Sequence, residues 1–168
     1  MRKLINPKYS HLSRQFDRLL NTDYFELHGE LLYDVGRNMI KRFQWEGVDL
    51  VIKRFGHITF FNRLMYSTIR ESKAMRAYKN ASKLRTMGIS TPEEIAVIEI
   101  FSHGILTESY FVSAYTSNSS LSYLWEFTYD KKEWLPLLDS LVAWIAEIHD
   151  KGILHQDLNV SNILYKEL

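Results

Sequence analysis

The feature that most constrains this fold is a segment near the C-terminus that joins three polar side chains to a fixed order of local structure. His155, Asp157 and Asn162 lie in the run His-Gln-Asp-Leu-Asn-Val-Ser-Asn, directly before the apolar residues 163–165, which predict a strand. Residues 141–154 predict a helix that is stopped by Gly152 and continues as a strand. An incidental surface loop is the alternative interpretation of these residues alone, so the upstream sequence has to decide.

An upstream segment carries a lysine that could belong to the same functional site as His155, Asp157 and Asn162. Residues 49–55 are apolar and β-branched and alternate around Lys53, which predicts a strand that brings this side chain into a cleft. Phosphoryl transfer requires a cation fixed against the nucleotide phosphates, and a lysine on a rigid strand supplies one. A solvent-facing lysine on an edge strand is the alternative. The downstream segment favours the functional interpretation.

Residues 70–87 predict a helix with one apolar face and one basic face. The apolar side chains recur at helical spacing, and the only acid, Glu71, projects from the flank of the apolar face. A carboxylate in this position would pair with Lys53, so Glu71 is the candidate partner. The alternative is an ordinary first-turn glutamate favoured by the helix dipole. The sequence leaves both interpretations open.

The segment between the first two predicted strands contains a single glycine. Gly36 permits a tight turn with positive φ, so Gly36, Arg37 and Asn38 could close over phosphates with both side chains and backbone. A plain hairpin turn is the equal alternative.

Taken in order, these elements resemble the lipopolysaccharide kinase family (Kdo/WaaP-type), within the protein-kinase-like fold. Besides the segment 155–162, the likeness rests on residues 51–55, on Ser-Lys-Ala-Met-Arg-Ala-Tyr at 72–78 and on Met-Gly-Ile-Ser-Thr-Pro at 87–92. It spans roughly residues 25–168. The resemblance implies an α+β fold with two lobes: a mostly antiparallel sheet with a helix, then a helical lobe that is present only in part.

The resemblance also implies roles for single residues. The implied catalytic residues are Lys53 on the ATP phosphates, Asp157 as base and His155 of the same loop, with Asn162 on Mg²⁺. The implied nucleotide-binding residues are Gly36, Arg37, Asn38, Lys53, Glu71, Ala114, Tyr115 and Thr116. The last three belong to the hinge, whose backbone would lie nearest adenine.

Several departures from the family pattern put catalysis in doubt. Met75 and Lys79 stand where family members often carry an acid, and Gln156 stands where arginine or glycine is usual. The sequence stops at Leu168, before the second metal-binding aspartate that kinases place after the catalytic loop. From this we expect a truncated, fragmentary or degenerate protein that is not a competent kinase as written.

Composition excludes several other classes of protein. Apolar residues make up 46% of the chain and aromatic residues 14%, which is ample for a core and far from disorder. The absence of cysteine excludes disulfides and thiolate metal sites. No apolar run is long enough for a membrane span, and the N-terminus lacks the apolar region of a signal peptide. We therefore expect a soluble, cytoplasmic protein.

The charges divide unevenly along the chain. Residues 1–90 hold 17 Lys and Arg against 8 Asp and Glu, whereas residues 91–168 hold 4 against 12. A basic half favours an anionic partner such as a phosphorylated lipid or sugar, or a peripheral contact with the inner face of the membrane. The alternative is that the two lobes complement each other. No nucleic-acid partner is expected from the resemblance.

The resulting hypothesis divides the chain at a polar stretch, into an N-terminal lobe of residues 1–116 and a hinge with a partial C-terminal lobe at 117–168. The implied function is ATP- and Mg²⁺-dependent phosphorylation of a hydroxyl on a lipopolysaccharide core sugar. One alternative is a kinase-fold enzyme that acts on a small molecule or a protein. Another is a non-catalytic pseudokinase or truncated binding module. The predicted helix 133–150 has a broad apolar stripe, which predicts self-association or aggregation if nothing covers it.

Overall fold

An antiparallel sheet forms the centre of the first of the two units of this protein. The structure is a computed structural model, and it describes residues 1–35, 38–56, 71–122, 131–154 and 159–166. The units are Met1–Tyr115 and Thr116–Leu168. Six described strands pair in the order β1-β5-β6-β4-β3-β2. They are β1 Arg2–Ile5, β2 Glu30–Val35, β3 Asn38–Trp45, β4 Val48–Phe55, β5 Glu94–Ser102 and β6 Ile105–Ala114. With the helices described next, the predicted α+β class with a mostly antiparallel sheet is confirmed.

The segment before β2 covers one face of this sheet. It consists of helix α1 (Ser13–Phe16), helix α2 (Thr22–Leu27) and 3₁₀ turns at Pro7–Leu12 and Asp17–Leu20. Its fully buried side chains are Leu12, Phe16, Leu19 and Phe25. They form one cluster with Leu50 and Ile52 of β4 and with Val112 of β6. With Tyr9, this segment therefore supplies five of the fourteen buried residues of that cluster.

Strand alternation places Lys53 on the other face. Since Leu50 and Ile52 point into the core cluster, Val51 and Lys53 must point to the opposite side of β4. The predicted strand around Lys53 is thus confirmed, with its bounds at Val48–Phe55.

Helix α3 (Lys73–Thr86) packs on this second face. It contacts β5 and β6, and its buried residues Ala74 and Ala81 lie outside the core cluster formed on the first face. The predicted helix over 70–87 is therefore confirmed in the main, but it begins three residues later. The Ser72 hydroxyl accepts a hydrogen bond from the Met75 amide at 3.0 Å, which caps the helix and leaves Glu71 outside it.

The second unit contains helix α4 (Lys131–Asp150) and a small hairpin of β7 (Ser119–Ser120) and β8 (Leu164–Tyr165). As predicted, Gly152 ends the helix: it has φ of 72°, and its amide donates to the His149 carbonyl at 2.8 Å. The predicted strand directly after Gly152 is wrong for residues 153–154, which form no strand. The predicted strand over 163–165 is confirmed as β8.

Candidate functional site

Lys53 lies on a central strand of the sheet. The neighbours of β4 are β3 and β6, and Lys53 stands opposite Ile40 on one side and Phe111 on the other. Its ammonium nitrogen lies 5.3 Å from the centroid of the Phe55 ring, within the range of a cation–π contact. The alternative of an edge-strand lysine is therefore wrong. Pairing on both sides fixes the backbone from which the half-buried Lys53 side chain extends.

Glu71 is placed differently from the sequence-based expectation. Because Ser72 caps α3, Glu71 precedes the helix and has no place on its flank. Its carboxylate forms an ion pair with Lys79, two turns into the helix. Both side chains are about half exposed, so this pair contributes little to stability. The pairing of Glu71 with Lys53 stays a hypothesis that the observed contact does not support.

Tyr115, one of the predicted hinge residues, is held by Arg42 of β3 and Asp49 of β4. The Arg42 guanidinium carbon lies 3.8 Å from the centroid of the Tyr115 ring. Arg42 also donates two hydrogen bonds to the Asp49 carboxylate, of which the one from Nε measures 2.8 Å. These hydrogen bonds hold the pKa of Asp49 below its usual value. The main-chain amide of Tyr115 donates to the Asp49 carbonyl at 3.0 Å.

Similar main-chain contacts occupy polar groups of the predicted hinge residues. The amide of Ala114 donates to the Glu93 carbonyl at 2.8 Å, and the amide of Tyr115 donates to Asp49. The Thr116 hydroxyl accepts from the Asn118 amide at 3.2 Å. Two of the three predicted hinge amides are therefore committed within the fold, so neither can donate a hydrogen bond to a bound base.

Asn162 ends a short 3₁₀ turn that leads into β8. The turn spans Val160–Asn162, and the Asn159 side chain accepts from the Ser161 amide at 3.2 Å. The Asn162 amide donates to the Asn159 carbonyl at 2.8 Å, and the Leu121 amide donates to the Ile163 carbonyl, also at 2.8 Å. The position of Asn162 is thus fixed by hydrogen bonds on both sides of the turn.

Several predicted site residues lie outside the described ranges. These are Gly36, Arg37, His155 and Asp157. Asn38, the third residue of the Gly36 segment, begins β3 opposite Phe55 of β4. The choice between a phosphate-covering loop and a plain turn therefore stays open.

Two further observations concern ligand sites in the described part of the chain. No group of three His, Cys, Asp or Glu side chains is placed there to hold a metal ion. A cavity of about 580 Å³ is bordered by Arg42 and Asp49, but Lys53 and Tyr115 are not among its lining residues. This cavity is therefore separate from the Lys53 side chain.

None of the described helices is long and apolar enough to cross a membrane.

The sequence interpretation missed Arg42, Asp49 and the whole N-terminal segment. The N-terminal signal was present, since Tyr9, Leu12, Phe16 and Leu19 follow each other at intervals of three, four and three residues, a helical spacing. The contact of Arg42 and Asp49 with Tyr115 had no local signal, because it depends on how β3, β4 and β6 pair.

Comparison with known proteins adds independent findings. The family model described as lipopolysaccharide kinase (Kdo/WaaP) family matches residues 34–168. Among solved structures, the chain is similar to one described as WaaP in complex with acyl carrier protein, at 16% sequence identity and a TM-score of 0.43. That similarity covers 80% of this chain and 46% of the other, so the chain spans less than half of that protein's length. A search of curated proteins found no match.

Proposed function

Because the chain belongs to the lipopolysaccharide kinase (Kdo/WaaP) family, we propose that it binds ATP with Mg²⁺ and that its activity is transfer of the γ-phosphate to a hydroxyl of a lipopolysaccharide core sugar. The observation that carries the proposal is the position of Lys53 on a central strand, on the sheet face that also carries α3. A fixed ammonium group at this place is what binding of nucleotide phosphates requires.

The remaining roles follow the family motif. Asp157 is the base that accepts the proton of the acceptor hydroxyl, within the loop that also contains His155. The Asn162 amide oxygen fits a ligand for Mg²⁺, because hard cations prefer oxygen ligands. Mg²⁺, when bound, would neutralise charge on the β- and γ-phosphates. Gly36, Arg37 and Asn38 cover the phosphates, and Ala114, Tyr115 and Thr116 form the hinge beside the base.

The two units are proposed to correspond to an N-terminal lobe and part of a C-terminal lobe. An anionic acceptor, a phosphorylated sugar or lipid, agrees with the basic first half of the sequence. Since such acceptors are carried by membrane lipids, we place the protein in the cytoplasm, in peripheral contact with the inner face of the membrane.

A non-catalytic nucleotide-binding module is the second candidate. One observation favours it: the residues of α3 include no Asp or Glu, and Glu71, the acid nearest to its start, is paired with Lys79. A kinase in which no carboxylate orients the phosphate-binding lysine loses part of its active arrangement. This candidate predicts bound ATP that is not consumed.

Calorimetric titration with ATP and Mg²⁺ tests the proposal. We expect measurable binding by the unsubstituted chain, and binding at least about tenfold weaker for Lys53→Ala, because the phosphates lose their fixed cation. Lys83→Ala is the matched control, since Lys83 is an exposed lysine on α3. Absence of binding, or equal binding by Lys53→Ala, would refute the nucleotide site. Phosphate transfer to a lipopolysaccharide core acceptor then separates the two candidates.

A further inference from the structure

Asp49 acts on Tyr115 by two separate routes. Its main-chain carbonyl accepts the Tyr115 amide at 3.0 Å. Its carboxylate holds the Arg42 guanidinium, and that guanidinium covers the Tyr115 ring at 3.8 Å. One residue thus fixes both the backbone and the side chain at the end of β6. These three residues, Arg42, Asp49 and Tyr115, are called the hinge clamp below.

The contacts of the hinge clamp fix the relative orientation of its three side chains and also stabilise their association. Two parallel hydrogen bonds from a planar guanidinium to a carboxylate allow only one relative orientation. Stacking of that guanidinium on an aromatic ring adds a cation–π attraction. The side chains of Arg42 and Asp49 are each about one-third exposed. The arrangement is therefore protected in part from water, although it lies at the surface of the first unit.

The hinge clamp lies at one end of a row of side chains that has Lys53 at the other end. Asp49, Val51 and Lys53 alternate along β4 and so point to the same face, and Arg42 stands directly opposite Val51. Four residues of a strand span about 13 Å. A nucleotide with its phosphates at Lys53 and its length along β4 would bring its base to the Tyr115 ring.

We propose that Asp49 and Arg42 are positioning residues that hold the Tyr115 ring as a wall against the base of the nucleotide. The inference rests on the proposed nucleotide site and extends it to residues that the family motif does not include. Neither Asp49 nor Arg42 touches the nucleotide in this account. They act through Tyr115, whose ring would otherwise have to be immobilised at each binding event.

Calorimetry with ATP and with adenosine separates the base end of the site from the phosphate end. Asp49→Asn removes the negative charge, and Arg42→Lys removes the planar guanidinium. Each substitution should weaken the binding of ATP and of adenosine by the same factor. We expect about tenfold, the loss that follows when one side chain must be ordered on binding. Lys53→Ala should weaken the binding of ATP and leave the binding of adenosine unchanged. Asp17→Asn, which removes the Lys3–Asp17 pair of 2.8 Å in the same unit, is the matched control.

Substitutions of Tyr115 test the proposal without touching the ion pair. Tyr115→Phe keeps the ring and should bind adenosine like the unsubstituted chain, whereas Tyr115→Leu should bind it about tenfold more weakly. Adenosine binding that is unchanged in Tyr115→Leu and Asp49→Asn overturns the hinge clamp and leaves the ATP site standing. An unsubstituted chain that binds neither ligand overturns both proposals.

Discussion

At the scale of single residues, Glu93 connects three parts of the first unit. Its carboxylate accepts hydrogen bonds from Lys8 and from the Tyr9 hydroxyl, each at 2.7 Å, and pairs with Arg85 at 3.2 Å. These residues belong to the N-terminal segment and to the last turn of α3. The hydrogen bonds from Lys8 and Tyr9 lower the pKa of Glu93 from 4.5 to about 2. The fold is therefore more stable when Glu93 is ionised.

Glu93→Gln should consequently show a loss of stability that depends on pH. Because the pKa of Glu93 is lower in the folded state, its contribution is fully present above about pH 4.5 and is lost as the pH falls towards 2. Urea unfolding at pH 7 and pH 3 measures this directly. We expect the variant to be less stable than the unsubstituted chain at pH 7, with a smaller difference at pH 3. Equal differences at both pH values would show that Glu93 does not act through its charge.

Asp157 is the residue whose substitution tests the catalytic loop. In any form of the protein that transfers phosphate, Asp157→Asn should lower kcat by about 10²–10⁴, the range for loss of a general base. The melting temperature should change little, because this substitution keeps the size of the side chain. Equal turnover by Asp157→Asn and by the unsubstituted protein would contradict the assignment of Asp157 as the general base.

Residues of the site could be predicted where their environment is local. The strand around Lys53 and the turn at Gly152 follow from neighbours in sequence, and both are confirmed. The helical position of Glu71 was wrong because the adjacent Ser72 is the stronger helix start: its hydroxyl satisfies a free amide of the first turn. The contact between Arg42 and Tyr115 links residues 73 positions apart, and no local pattern encodes it.

At the scale of elements, the N-terminal segment behaves as part of the domain. It lies before the family match, which begins at residue 34, yet five of its residues belong to the hydrophobic core cluster of the sheet. Phe25 of α2 is held between Arg54 and Lys41, whose charged groups lie 5.1 and 5.5 Å from its ring centroid. Lys41 is itself buried and donates to the carbonyls of Glu26 and His28 at the end of α2. Lys41 therefore satisfies the carbonyl of Glu26 in the last turn of this helix and the carbonyl of His28 just beyond it.

Phe16→Ala tests the contribution of this segment. The Phe16 side chain is fully buried and packs edge-on against Trp45 at 5.6 Å between ring centroids. Its truncation should lower the free energy of unfolding by about 3–5 kcal/mol, as for other buried aromatic residues. Leu20→Ala is the control: Leu20 is 51% exposed, and its loss should cost no more than about 0.5 kcal/mol. Similar unfolding free energies for the two variants would mean that the segment does not belong to the core.

At the scale of the whole molecule, the sequence predicted a division near the polar stretch after β6, and the chain separates into units between Tyr115 and Thr116. Within the second unit, α4 has apolar side chains on two sides. Ile148 is buried, whereas Leu135, Leu138 and Val142 are 58%, 41% and 64% exposed. The sequence predicts one uncovered stripe that contains both Leu138 and Ile148, whereas the structure exposes Leu138 and buries Ile148. Spacing shows which residues share a stripe, whereas burial depends on what packs against it.

Exposed apolar side chains on one side of α4 lead us to expect self-association through this helix. Light scattering of the purified chain at increasing concentration measures it. Replacing both Leu138 and Val142 by Gln should shift the distribution towards monomer, while Asp139→Asn, a polar change on the same helix, should leave it unchanged. A monodisperse monomer at high concentration would contradict this expectation.

The central claim is that Lys53 lies against the phosphates of bound ATP, and labelling with an acyl-phosphate derivative of ATP tests it most directly. Such a reagent transfers its acyl group to a lysine amine next to the phosphates, and mass spectrometry of the digested protein identifies the modified residue. We predict that Lys53 is labelled in preference to the exposed lysines of α3, Lys73, Lys79 and Lys83, and that excess ATP prevents this labelling. Labelling that spreads over those exposed lysines, or that excess ATP does not reduce, would contradict the account.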